Sequence, residues 1–392
     1  MGGERGGGRR GRQIWRWAHG AALARGWEEA GPGAPGGFGR AFQAAARASG
    51  ASLSGGLTHP PAEIRSQDGT SKLVFELEAE PSSRVEAVII PTRRRAGRPA
   101  RATVCVSTQV GCAMGCRFCY TARMGLRRSL EAEHIVEQVL AARRAFDARE
   151  GGGAGGGAQR LTNVVFMGMG EPLDNLENVL RAIEILTTPA PGVDALSPRK
   201  ITVSTVGLAP QMREFAARSD AQLALSLHAV DDATRSRLMP LNRRHDLAEL
   251  QAALEDLFPR GRCEGRRHIL IEYLLLRGVN DSPEDADKLL TFLERVEAKV
   301  NLIQYNKPVV PPSGGGEKEG AAAGAALEAE GLTGETWELL TFEPTPQADL
   351  EAFRDRVRAG GQVCTVRASR GDDEMAACGQ LGEGSKKAER HK

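Results

Sequence analysis

The stretch Ala102-Thr103-Val104-Cys105-Val106-Ser107-Thr108-Gln109-Val110-Gly111-Cys112-Ala113-Met114-Gly115-Cys116-Arg117-Phe118-Cys119 decides the fold. It opens with an apolar, β-branched run, Ala102–Ser107, that predicts a strand. It closes with three cysteines in C-x3-C-x2-C spacing, the last preceded by the aromatic Phe118. Thiolates hold iron–sulfur clusters, and a cubane ordinarily takes four of them. Three close thiolates and no obvious fourth predict a cluster at Cys112, Cys116 and Cys119 with one iron open to a substrate or cofactor. A zinc site or simple buried thiols are the alternatives. Zinc sites usually pair C-x2-C with a second cysteine or histidine pair, and none stands out here.

The rhythm after this stretch is strand, loop, helix. Strand-like runs follow at Asn163–Met167, Lys200–Ser204, Gln222–Leu227, His268–Leu275 and Val300–Tyr305. Helix-like runs lie at Glu131–Arg144, Leu176–Leu186, Leu208–Ala217, Leu247–Leu257 and Pro283–Val296. Six alternating β/α units predict an α/β protein with a parallel sheet, either an open barrel or a doubly wound fold. In both, chemistry sits just past the carboxyl ends of the strands.

Before the first of these strands the pattern differs. Residues 13–50 read as helices. Lys72–Leu77 and Val85–Pro91 read as strands, giving a small α+β lead-in. The run Arg93-Arg94-Arg95-Ala96-Gly97-Arg98-Pro99-Ala100-Arg101 is strongly basic. It is either a solvated loop or a contact for a phosphate backbone. Gly151–Gly157 and Pro311–Ala329 are low in complexity and read as loop insertions. Gly2–Arg12 is Gly/Arg-rich and reads as a flexible leader or the remnant of a longer upstream region.

The chain has 392 residues, long enough for one large domain and a small one. Its net charge of +2, from 52 basic and 50 acidic residues, argues neither for nor against nucleic acid. No apolar run is long enough to span a membrane. Seven cysteines, an odd number, with three in one cluster-like motif, favour a reducing compartment over a disulfide framework.

The strand ends carry polar groups and glycines. After the second strand comes Gly168-Met169-Gly170-Glu171-Pro172, where glycines admit a ligand close to the backbone and carbonyls suit an ammonium group. The third strand ends at Ser204-Thr205-Val206-Gly207, the fourth at Ser226-Leu227-His228, and the sixth at Asn306. Singly these are turn or capping residues. Converging on one mouth, they suit a polar cofactor such as an amino acid joined to a nucleoside. Cys105, on the first strand, points toward the same mouth. Cys378 sits in the polar, glycine-flanked Arg370–Leu381 segment, unlike a buried structural thiol. Cys263 and Cys364 read as passive thiols.

Cys112, Cys116 and Cys119 match the signature of the radical S-adenosylmethionine superfamily. Cys105–Cys112, Gly168–Pro172, Ser226–Ala229 and Arg370–Leu381 together resemble the dual-specificity ribosomal RNA and transfer RNA adenine-C2 methyltransferases, over about Gln13 to Leu381. The resemblance implies a partial (β/α)6 barrel with a small N-terminal α+β domain. It divides the chain into an accessory RNA-binding part at 1–77, connecting strands and basic loop at 78–101, a catalytic core at 102–381, and a basic tail at 382–392. It implies that Cys112, Cys116 and Cys119 ligate a [4Fe–4S] cluster. Gly170, Glu171, Ser204, Ser226, Leu227, His228 and Asn306 would contact S-adenosylmethionine, two molecules of which are used per turnover.

The resemblance also assigns the chemistry. Carbon 2 of adenine is electron-poor and cannot attack a sulfonium methyl. In this family one S-adenosylmethionine methylates the residue matched by Cys378. A second is cleaved to a 5′-deoxyadenosyl radical, which takes a hydrogen from that methyl, and the methylene radical adds to carbon 2. Glu86 matches the proton acceptor. Cys105 matches the thiol that attacks the Cys378 sulfur, forming a disulfide and freeing product. The implied partners are ribosomal RNA, transfer RNA and a flavodoxin- or ferredoxin-type reductant. The implied setting is a monomer in the cytoplasm, or in an organelle if a targeting segment precedes this chain. Two other readings are an adenine-C8 methyltransferase with the same radical apparatus, and a non-catalytic RNA-binding protein that uses its cysteines for zinc.

Overall fold

The structure, a computed structural model, describes residues 40–48, 56–58, 60–92, 101–149, 160–189, 195–261, 268–307, 342–367 and 369–382. The helices expected over 13–39, the runs Gly151–Gly157 and Pro311–Ala329, Cys263, residues 93–100 of the basic run and the tail from 383 lie outside them.

Ten strands form one sheet in the order β1 (Ala62–Arg65), β2 (Ser71–Leu77), β3 (Glu80–Thr92), β4 (Arg101–Val106), β7 (Arg160–Phe166), β8 (Ile201–Thr205), β9 (Gln222–Ser226), β10 (Ile269–Leu275), β11 (Ala298–Gln304) and β12 (Val363–Arg367). A separate small ribbon pairs β5 (Gln109–Gly111) with β6 (Leu126–Ser129). Every neighbour pair from β4 to β12 is parallel. The first three strands are antiparallel, and β3 pairs with the outer edge of β4. That edge is therefore taken, and β4 does not pair with β12. The result is the expected open barrel of α/β type, with the strand Val363–Arg367 added beyond the six. Its sequence, Val-Cys-Thr-Val-Arg, alternates exposed and buried positions over Val363–Thr365 as an edge strand does, unlike the almost wholly buried β10. The sheet also runs on through residue 78, because β2 and β3 form one hairpin.

The elements follow from local chemistry. β10 reads Ile-Leu-Ile-Glu-Tyr-Leu-Leu and is buried along almost its full length, as a strand covered on both faces must be. The helix Leu247–Leu257 buries Leu247, Leu250, Ala253 and Leu254 at helical spacing and is capped by Asp246, which accepts from the Glu249 N–H. The helix Pro283–Phe292 begins with a reciprocal Ser282/Asp285 capping box and Pro283 in its first turn. These helices cover the outside of the sheet and leave the carboxyl ends of its strands at one rim. Among the described residues no helix is long and apolar enough to cross a membrane.

Candidate active site

At that rim lies a cavity of about 1000 Å³ lined by all three clustered cysteines and by the ends of several parallel strands. Gly170, Glu171, Ser204, Ser226 and His228 face it, as does Cys378 from the C-terminal segment. A second cavity of about 990 Å³ is lined by Asn306, Ser369, Arg367, Arg370 and, again, Cys378. Cys378 therefore touches both spaces.

The cysteine loop connects β5 to the short helix Tyr120–Arg123, for which Cys119 is the N-cap. Burial raises all three thiols above their ordinary range. The neighbouring Cys116 thiol adds to this for Cys112, and the Cys119 thiol for Cys116. Buried thiols of this kind surrender their protons when a metal takes up the charge. Among the described residues no group of three or more His, Cys, Asp or Glu side chains is arranged to hold a single metal ion. A cluster spaces its thiolates more widely than one ion does, and three thiols around an open cavity fit it.

The polar wall is built from backbone and side chain together. The Ser204 and Ser226 hydroxyls are 3.4 Å apart at the ends of neighbouring strands. Glu171 is buried; its carboxylate accepts from the Leu173 N–H at 3.0 Å and the Val206 N–H at 2.9 Å. Burial nevertheless pushes its carboxyl up to about 7. Gly170 has φ +96°, and a Cβ there would lie 2.5 Å from the Gln109 Cβ, so only glycine fits this turn. His228 also sits at positive φ, 58°, packed edge-on to Phe118 with ring centroids 5.1 Å apart. Burial, with help from Arg235, pulls its imidazole down to about 3. The ring is neutral at neutral pH, and Nδ1 accepts from the Leu274 N–H at 3.1 Å, which leaves the proton on Nε2.

Not every expected residue reaches the first cavity. Leu227 is fully buried in the core, and only its backbone takes part: its carbonyl accepts from Arg235 Nε at 3.0 Å. Asn306 lines the second cavity instead, where its Oδ1 accepts from the Ser369 hydroxyl at 2.6 Å. Glu86, almost wholly buried on β3, lines neither space. Its carboxylate accepts from the Gly382 N–H at 3.1 Å, so it lies directly beneath the C-terminal segment. Cys105 faces the same side of the sheet as Glu86, because Val88 pairs with Cys105 and side chains alternate along β3.

The two outlying thiols are neighbours. Burial pushes Cys105 up to about 12, and the nearby Cys378 adds to this. Cys378 is exposed to the cavities, yet desolvation within them pushes its thiol up to about 11, opposed by Arg367. Arg367 in turn lies 3.6 Å from Glu272, a buried carboxylate in the wall of the first cavity. Cys364 is buried at the barrel edge with no contact to either space.

Four contributors escape a sequence reading: Glu272, Arg367, Arg235 and Lys72. Glu272 and Arg367 are charges in or beside apolar runs, and that mismatch was the available signal; Arg235, in a charged stretch, and Lys72, on a hairpin, offer none. Arg235 is the largest of the fully buried side chains; it binds the carbonyls of Leu227 and, at 2.6 Å, Val206, tying two strand ends together.

Residues 106–290 match the radical SAM superfamily. The dual-specificity RNA methyltransferase RlmN of Syntrophotalea carbinolica is 40% identical over 322 residues, covering 82% of this chain and 72% of the relative. The chain belongs to the RlmN family. The RlmN of Anaeromyxobacter dehalogenans is 42% identical over 320 residues, covering 81% of this chain and 73% of that relative. A crystal structure of a radical SAM methyltransferase from Sphaerobacter thermophilus superposes on this RlmN-family chain with a TM-score of 0.73 at 36% identity, over 95% of this chain and 92% of the other.

Proposed function

We propose that this protein is a radical S-adenosylmethionine methyltransferase that adds a methyl group to carbon 2 of adenine in ribosomal RNA and transfer RNA, by way of a methylated Cys378. The observation that carries the reading is the placement of Cys378 between the cavity with the three clustered thiols and a second cavity lined by arginines. A thiol so placed can receive a methyl on one side and deliver it on the other.

Cys112, Cys116 and Cys119 would hold a [4Fe–4S] cluster. Gly170, Ser204, Ser226 and His228 would line the seat of S-adenosylmethionine, and Glu171 would shape that seat by fixing Val206 and Leu173. Leu227 would contribute through its backbone, and Asn306 from the adjoining space. When bound, the cluster and S-adenosylmethionine supply the methyl group and, in a second round, the radical that activates it.

The rest falls to the chain. Cys378 must lose its proton to take the methyl, and Arg367 favours the thiolate. Cys378 then carries the carbon to the ring. Glu86 accepts the ring proton, becoming a neutral carboxylic acid. Cys105 attacks the Cys378 sulfur; a sulfur–sulfur bond forms as the sulfur–carbon bond to the product breaks, the Cys105 thiol proton completes the methyl on the released carbon, and the odd electron left by the radical addition would return to the cluster. What supports this step is packing: Cys105 shares one buried cluster with Ala376 and Leu381, which flank Cys378 on either side. Arg367 and Arg370 line the second cavity, each 3.6 Å from a carboxylate, Glu272 and Asp68, and would offer their remaining guanidinium donors to an RNA phosphate. A low-potential flavodoxin- or ferredoxin-type protein suits the one-electron demand of the cluster.

The test is incubation of the reconstituted protein with ribosomal and transfer RNA, followed by nucleoside mass spectrometry. 2-Methyladenosine is expected. 8-Methyladenosine in its place, or a colourless zinc-loaded protein with no modified base, overturns the reading.

A further inference from the structure

Lys72 is among the largest fully buried side chains of the protein, at 0% exposure. It lies on β2, the middle strand of the antiparallel extension and not part of the barrel. Its ammonium is 3.6 Å from Glu86 Oε1 and donates to the carbonyl of Met375 at 3.2 Å. The other carboxylate oxygen of Glu86 accepts from the Gly382 N–H at 3.1 Å. Met375 precedes Cys378 and Gly382 follows it. The Lys72–Glu86 pair thus grips both ends of the segment that carries the thiol.

Register explains how these side chains meet. Lys72 pairs with Val88 across β2 and β3, and Val88 pairs with Cys105 across β3 and β4. Paired residues share a face, and alternate residues along a strand return to it. Lys72, Glu86 and Cys105 therefore stand on one side of the sheet, beneath the Cys378 segment.

Two features mark this arrangement as more than packing. A buried ion pair is weak as a source of stability, because apolar residues of similar shape often fill the same space equally well or better. Met375 also takes the left-handed conformation, φ 50°, which costs energy for a residue other than glycine; this conformation occurs where its carbonyl meets Lys72. The turn between β1 and β2 adds a second hold: the Gln67 N–H donates to Asp373 at 3.1 Å, and the Gly371 N–H donates to Asp68 at 3.3 Å.

We propose that Lys72 is a positioning residue that keeps the Glu86 carboxylate registered against the Cys378 segment, so that the proton acceptor and the methyl-carrying thiol hold one geometry. This rests on the reaction proposed above. Lys72 touches neither substrate nor cofactor and acts through Glu86, to which the ring proton moves as the carbon–hydrogen bond at carbon 2 breaks.

The test separates the half-reactions in Lys72→Met, Lys72→Arg and the unaltered protein. Intact-protein mass reports the methyl on Cys378. A quenched single turnover on RNA, run on a denaturing gel, reports the covalent protein–RNA adduct and its decay. We expect Lys72→Met to gain the methyl and form the adduct but resolve it about 100-fold more slowly, the loss expected when a reacting group is displaced by about 1 Å. Lys72→Arg, which keeps the cation, should restore most of that rate. Adduct decay at the unaltered rate in Lys72→Met overturns the proposal. So does loss of Cys378 methylation in Lys72→Met in proportion to the adduct, since the residue would then only support the segment. If Lys72→Met does not fold, Lys72→Gln, which keeps a donor without charge, makes the same comparison. Absence of the methyl in the unaltered protein instead overturns the reaction itself and this inference with it.

Discussion

The Tyr120 N–H donates to the carbonyl of Gly379 at 2.8 Å, so the helix that begins directly after the third clustered cysteine holds the residue directly after Cys378. Thr121 repeats the link one residue on, its hydroxyl donating to the Leu381 carbonyl at 2.7 Å. Chain regions more than half the sequence apart are thereby locked side by side. The proposed radical source and methyl carrier owe their proximity to these two bonds.

Cys378→Ala should abolish methyl transfer and leave no protein-bound methyl detectable by intact mass. Because Cys378 is exposed to the cavities, its loss should change stability by no more than about 0.5 kcal/mol in thermal melts. Sustained turnover in this variant would remove the methyl-thiol step.

Cys105→Ala should form the protein–RNA adduct and fail to release it, giving a stable crosslinked band that maps to Cys378. Cys105 is buried and lines neither cavity, so its loss should leave the methyl-loading of Cys378 intact and act at the release step. Product release without an adduct would contradict that role.

Gly170→Ala places a Cβ against Gln109 in a backbone conformation with φ +96°. Gln109 has no room to yield, since its amide is held by Asp174 at 2.7 Å and by the Glu171 N–H at 2.9 Å. A loss of about 1–3 kcal/mol is expected, together with weaker S-adenosylmethionine binding by calorimetry. An unchanged melting temperature and affinity would show that the turn is not as tight as described.

Glu171 predicts a pH dependence of stability. Burial raises its folded-state carboxyl from 4.5 to about 7, so folding favours the protonated form. Its stabilising contribution is complete below the unfolded value and is lost as pH rises through about 7. The loss is on the order of 3 kcal/mol. Melting temperatures should fall between pH 5 and 8, and Glu171→Gln should flatten that fall even though it sacrifices one backbone hydrogen bond. Parallel slopes in the two proteins would contradict the assignment.

Much of this architecture was legible in the sequence. The six inner strands are short runs rich in β-branched and apolar residues, and their helices carry helical periodicity with caps such as Ser282 and Asp246. The site's glycine turn and its strand-end serines showed themselves as polar groups where a core would refuse them. What stayed hidden depends on register and long-range contact. The edge strand Val363–Arg367 is only five residues long and carries Thr365 and Arg367, so its apolar signal is too weak to stand out. Ser204 lies at the end of β8 and Asn306 just beyond β11, but only Ser204 turns into the first cavity. Lys72 looks like an ordinary surface lysine on a hairpin until β3 and the C-terminal segment close over it. Nothing local announces that a residue will be buried by chain from the far end.

The central claim is that the transferred carbon passes through Cys378. The most direct measurement preloads Cys378 with a trideuterated methyl, removes free S-adenosylmethionine, and then supplies unlabelled S-adenosylmethionine with RNA for a single turnover. The account predicts 2-methyladenosine carrying the deuterium of the protein-bound methyl, less the single atom abstracted, while the protein loses its label. Unlabelled 2-methyladenosine from protein that keeps its deuterated methyl would contradict it.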